Sequence, residues 1–430
     1  MAHATHFGGN LPLVLLLAPT TPVYAQEERG PIKHLEQINE DGFGKHNNRY
    51  AWSMESFGDH LFVGTLNTTL GLPFERWPFD PPVGPRTAVA LPKIPDIPEI
   101  PDFARFVSEG AELWRYDGEA WDQVADRGFG DTGNVGIRNM AVYRGRLYAG
   151  TMNSDTGCEI WRSTDGTNWS QFGADGLRNP LNLSVRAMTV WGERLYIGIS
   201  SPIGGQIYST SGFLWVPHAL PGFGSVANFS VSELTGHKGS LYAGTWNPNG
   251  CQIYRYDGLR WNQLVGPESA TPAGFGDPFN AGVMSMIEFR DALYVGTANF
   301  LSGFTLWRTE DQGATWERVG RSGFGDFRAN YAWDMEIHNE QLFLGTFTMG
   351  LIDPFHHGAS LYSTEDGAHW TRDVGILGRL SPPGFLDRNN YGIRVLEPFQ
   401  DELHIGTAQC FFCVMSVGGT EVWRRDSSAD

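Results

Sequence analysis

Seven times along the chain the sequence returns to one phrase, leucine–aromatic–x–Gly–Thr. It stands at Leu61-Phe-Val-Gly-Thr65, Leu147-Tyr-Ala-Gly-Thr151, Leu241-Tyr-Ala-Gly-Thr245, Leu293-Tyr-Val-Gly-Thr297 and Leu342-Phe-Leu-Gly-Thr346, with looser copies at Leu195-Tyr-Ile-Gly-Ile199 and Leu403-His-Ile-Gly-Thr407. Seven residues ahead of each copy, at the end of a short alternating run, stands Met54, Met140, Met188, Leu234, Met286, Met335 or Leu396. Behind each copy comes a second short run, such as Glu159-Ile-Trp161 or Gln252-Ile-Tyr254, then a Gly-containing turn and an aromatic such as Trp169 or Trp261. Alternating runs bounded by Gly-rich turns are strands, and a four-strand unit repeated at roughly 46 to 52 residues, as between Asn134, Asn182, Asn228 and Asn280, is the sequence mark of a propeller blade. The reading is all-β: a single seven-bladed β-propeller of four-stranded blades.

Between units runs Gly-Phe-Gly-Asp, clearest at Gly128–Asp131, Gly274–Asp277 and Gly323–Asp326. Glycine permits the positive φ of a tight crossover, and an Asn at the head of the next strand can bond the local backbone. The last unit lacks a fourth strand, but His34-Leu-Glu-Gln-Ile-Asn39 has the pattern of one and is followed by the usual linker, Gly42-Phe-Gly-Lys45. The N-terminal strand should therefore complete the last blade, close the ring and cover a free sheet edge.

Residues 1–25 read as a signal peptide. The apolar run at 11–18 is too short to span a bilayer, and Val23-Tyr24-Ala25 offers a small-residue cleavage pattern. The expectation is a secreted or periplasmic monomer with no membrane span. Residues 26–430 would form the propeller, with a Pro-rich loop insertion at 66–110 in the first blade. The formal charge of -17, with no basic run, excludes generic attraction to nucleic acid. Four cysteines are too few to hold a chain of this size together; Cys410 and Cys413 could bridge each other, and no metal or other cofactor is expected.

Thr309-Glu-Asp311-Gln-Gly313-Ala-Thr315-Trp316 resembles the Asp-box of sialidase-like, BNR-repeat propellers, and the turns at Asp165 and Asp366 resemble shortened copies. True sialidases have six blades and an Arg-Ile-Pro motif absent here, so the resemblance implies the superfamily and not that activity. It also implies that these aspartates form hairpins away from any active site.

The longest loops join second to third strands and crowd one mouth of the central channel, which makes that mouth the expected binding face. Two residues before the Met/Leu position lies the column Trp52, Arg138, Arg186, Ser232, Met284, Trp333, Arg394. Inner strands line the channel, and three converging arginines would suit a carboxylate, sulfate or phosphate. Alternatively, each arginine pairs with a neighbouring acid such as Glu233 or Asp334. Tyr50, Trp52, Trp333 and Tyr391 could stack on sugar faces or simply pack between blades. For catalysis the candidates are His356 as acid or base, Tyr331, Tyr50 or Tyr391 as its partner, and the carboxylates Glu233 and Asp334. The expected partner is a polar or anionic glycan or small anionic ligand, bound with or without lyase or hydrolase chemistry. The competing expectation is a non-catalytic scaffold for a protein partner.

Overall fold

The computed structural model describes residues 32, 34–71, 105–348, 358–410 and 418–426. Every repeat contributes strands that pair in sequence order. In the second repeat, Gly136–Tyr143, Arg146–Met152, Ile160–Ser163 and Trp169–Gln171 form successive antiparallel pairs. At the seam Leu35–Gln37 supplies the outermost strand, pairing Leu35 with Arg425 and Gln37 with Trp423.

The strands do not, however, form seven separate four-stranded blades. The last residues of each second strand also pair with the start of the first strand in the next repeat: Leu66 with Gly136, Met152 with Ser184, Ser200 with Ser230, Trp246 with Gly282, Ala298 with Tyr331, Phe347 with Gly392 and Ala408 with Tyr50. The expectation of a seven-bladed propeller of four-stranded blades is thereby corrected. Among the described residues the main assembly is one 28-stranded sheet. Its inner first and second strands close into a 14-strand antiparallel barrel, and the third and fourth strands hang on the outside.

The reason lies in small residues at the junctions. A Cβ on Gly136 would stand 2.1 Å from the Trp52 ring, on Gly282 2.5 Å from Trp246, and on Gly392 2.2 Å from Trp333. These glycines let one repeat's strand approach the last closely enough to bond, so the barrel edges are satisfied instead of ending free.

The repeated phrase now has a physical meaning. Its leucine is fully buried between layers, as at Leu61, Leu147 and Leu241. Its glycine faces the next repeat: a Cβ on Gly150 would lie 2.6 Å from Val185, and on Gly244 2.5 Å from Val283. Its threonine hydroxyl accepts the N–H that opens the third strand, from Glu159 at Thr151 and Gln252 at Thr245. The linker is equally regular. Phe129, Phe275 and Phe385 stand at positive φ and stack on Trp161, Trp307 and Trp423 at 4.8, 4.6 and 4.9 Å. The Asn that follows donates to the linker carbonyl, as Asn134 does to Gly128 and Asn280 to Gly274, both at 2.9 Å. Fourth-strand indoles tie neighbouring repeats: Trp121 donates to Ile38, Trp215 to Phe172 and Trp261 to His218.

Candidate functional site

All seven inner strands carry a β-bulge at the same place. Pairing skips between Ala51 and Ser53, Ile137 and Asn139, Val185 and Ala187, Val231 and Glu233, Val283 and Ser285, Ala332 and Asp334, and Ile393 and Val395. The residue left unpaired is, in order, Trp52, Arg138, Arg186, Ser232, Met284, Trp333 and Arg394, the same column that sequence alignment singled out. A bulge bends the strand and re-aims the extra side chain. Residues on both sides of the bulge can then face the channel, which strict alternation would forbid.

These residues line one cavity of about 230 Å³. Arg138, Arg186 and Arg394 all reach it, together with Glu55, Glu233, Asp334, Glu336 and Glu397. Arg138 and Arg394 keep buried Nε atoms without a hydrogen-bond partner. Among the described residues no ion pair joins any of the three guanidinium groups to a carboxylate. Each instead lies near an indole: Arg138 4.3 Å from the Trp52 ring, Arg186 5.8 Å from Trp246 and Arg394 5.4 Å from Trp333. Burial, and then repulsion from Arg186 and Arg394, pulls Arg138 well below the usual arginine range. Arg186 is pulled down to about 10, mainly by burial and next by Arg394.

The carboxylates have a structural duty as well. Below the bulge, acids accept backbone N–H groups of the inner strands. Glu55 accepts from Val142 at 3.2 Å, Asp334 from Leu396 at 2.7 Å and Glu397 from Ser56 at 2.9 Å, each across a repeat boundary. Glu233 and Glu336 accept from Leu234 and Ile337 beside them. Burial raises all five: Glu233 to about 8 with help from Asp334, Glu55 to about 8 with help from Glu397, Glu336 to about 8, Glu397 to about 7 and Asp334 to about 6.

At the linker end an aromatic cluster fills the channel. Tyr50, Trp52, Trp333, Phe347 and Tyr391 are buried there, with Tyr331 and Trp246 packed against them. Tyr50 and Tyr391 hydrogen-bond through their hydroxyls, and Tyr331 stacks on Phe347 at 4.6 Å. Burial pushes the Tyr331 phenol above its usual range. Of the four rings expected to stack on sugars, Tyr50, Trp52 and Trp333 meet ring edges in T-shaped contacts, and Tyr391 meets Phe347 in another. The cavity extends from the bulge toward the opposite, hairpin end, where Glu55, Glu336 and Glu397 are half-buried.

The structure therefore brings together the three arginines, Glu233 and Asp334, and sets Tyr331 in the aromatic plug. His356, Cys413, the signal peptide and most of the Pro-rich insertion lie outside the described residues. Cys410 is buried and disulfide-bonded, while Cys158 and Cys251 are buried and free. Sequence reasoning missed Glu55, Glu336 and Glu397; the available signal was their shared place three residues after the arginine column. Among the described residues no cluster of His, Cys, Asp and Glu is arranged to hold a metal. Among the described residues no helix is long and apolar enough to cross a membrane. Asp165, Asp311 and Asp366 hold hairpins, each accepting backbone N–H groups from the turn that follows, such as Thr315 to Asp311 at 2.9 Å.

Fold and site define a closed all-β ring of sequence repeats with a charged cavity in its channel. Solved structures similar to it include propellers. The chain is similar to the extracellular domain of a one-component system of B. thetaiotaomicron, with 14% identity and a TM-score of 0.53 over 91% of this chain. It spans 40% of that neighbour's length, and the likeness is one of fold. It is also similar to YjhT (12% identity, 78% of this chain and 99% of that one, TM-score 0.44) and to Trypanosoma rangeli sialidase bound to 2,3-difluorosialic acid (11%, 66% and 53%, 0.42). No family model matches the sequence, and no curated protein matches it.

Proposed function

We propose that this is an exported protein that binds a small acidic ligand, such as a uronic acid or the acidic end of a glycan, in the channel cavity. The observation that carries the reading is that three arginines, from three repeats, turn at β-bulges into one cavity with no carboxylate in ion-pair contact. Three buried guanidinium groups in one cavity are costly without an anion, and a ligand carboxylate or sulfate would relieve them through bidentate bonds. The aromatic plug argues against a threaded polymer and for a terminal residue or free sugar entering from the hairpin end. Room for roughly eight waters fits one monosaccharide.

Glu233 and Asp334, displaced to different pKa values beside the arginines, give the site an acid and a base for hydrolase or lyase chemistry. The test is titration calorimetry with D-glucuronate and D-glucose. We expect glucuronate to bind, glucose not to bind, and Arg186→Ala to weaken glucuronate at least tenfold. Binding of neither sugar by the wild type would favour the scaffold reading. The observation behind that alternative is the exposed apolar set Val226, Phe279, Leu301 and Phe327 near the linker end.

A further inference from the structure

Along the channel the charges are layered. Arginines occupy the bulge, Glu233 and Asp334 come one residue later, and Glu55, Glu336 and Glu397 three residues later. At about 3.3 Å per residue the outermost acids lie roughly 10 Å along the strand from the guanidinium layer, which is the span of one monosaccharide with its substituents. Glu55, Glu233 and Glu336 each spend one oxygen on a backbone N–H. Their second oxygens have no hydrogen-bond partner among the described residues, and all three residues line the cavity. An anion alone would use only one end of this arrangement. It would leave the free oxygens of Glu55, Glu233 and Glu336 without a donor.

We infer that the cavity is built for a zwitterion of monosaccharide or amino-acid size, with its carboxylate on Arg138, Arg186 and Arg394 and an ammonium on the Glu233 side. This rests on the acidic-ligand reading above and sharpens it to a substrate class. An ammonium supplies three donors to oxygens that otherwise lack them, and opposite charges at the two ends fix the ligand's direction in the channel.

The experiment compares D-glucuronate with 2-amino-2-deoxy-D-glucuronate, which differ only in one hydroxyl replaced by an ammonium, by titration calorimetry at pH 7. Glucosamine serves as the cation without the carboxylate. We expect the amino sugar acid to bind at least tenfold tighter than glucuronate, and glucosamine to bind weakly. Glu233→Gln, nearly isosteric, should reduce the preference to below threefold. Arg186→Ala should weaken both acids, and thermal melts would verify that each variant is folded. Equal binding of the two acids overturns the inference and leaves the acidic-ligand reading intact. A preference that survives Glu233→Gln and Glu55→Gln also overturns it. If neither acid binds, both readings fall.

Discussion

Gly136 illustrates how single residues set this fold. It has ordinary backbone angles, so its smallness serves the Trp52 ring and not a turn. Gly136→Ala places a Cβ 2.1 Å from that ring, and overpacking of this kind costs about 2–3 kcal/mol. Urea denaturation should register the loss, and adding Trp52→Phe should recover part of it, since contacting sites couple. At the same scale the arginine column was legible from the repeat register alone, because Arg138, Arg186 and Arg394 align without gaps. The bulge that turns them inward was not legible. It depends on how two strands pair, and one extra unpaired residue leaves no mark on a short alternating run. For the same reason Glu55, Glu336 and Glu397 did not stand out in the sequence.

Among elements, the linker is the most regular device. Its Phe adopts a left-handed conformation that a bulky side chain disfavours, and the stack on the next repeat's third-strand aromatic compensates. Phe275→Ala removes a stack with Trp307 at 4.6 Å and an interplanar angle of 6°. The expected loss is about 2–4 kcal/mol, and amide exchange should speed up first in the fifth repeat. The linker's glycines and Asn were readable in the sequence, since turn chemistry is local. The pairing of second strands with the next first strands was not, because it joins segments that share no motif. That is why separate blades were expected where a continuous barrel was found.

Over the whole molecule, stability should depend on pH through the channel. Glu55, Glu336, Glu397 and Asp334 have folded pKa values of about 8, 8, 7 and 6, above their ordinary values. The folded state thus holds protons that the unfolded state releases. Their contribution is complete below about pH 4 and is lost as pH rises through 6 to 8. The melting temperature should fall across that window. Glu55→Gln with Glu336→Gln should flatten the fall, by about 1 kcal/mol per site once water in the cavity is allowed for. A melting temperature that rises from pH 6 to 8 would contradict this. The seam gives a second global test: Leu35 is buried against the last repeat, and Leu35→Ala should cost about 2–3 kcal/mol and lower the main unfolding transition without creating a separate early one.

That seam also bears on time. Leu35 pairs with Arg425, so the ring can shut only after both distant segments exist and meet, and the loop entropy of that meeting falls late in folding. Once shut, no repeat has a loose end from which to peel. The molecule should be slow to assemble and slower still to come apart, with a lifetime set more by its opening rate than by its equilibrium stability.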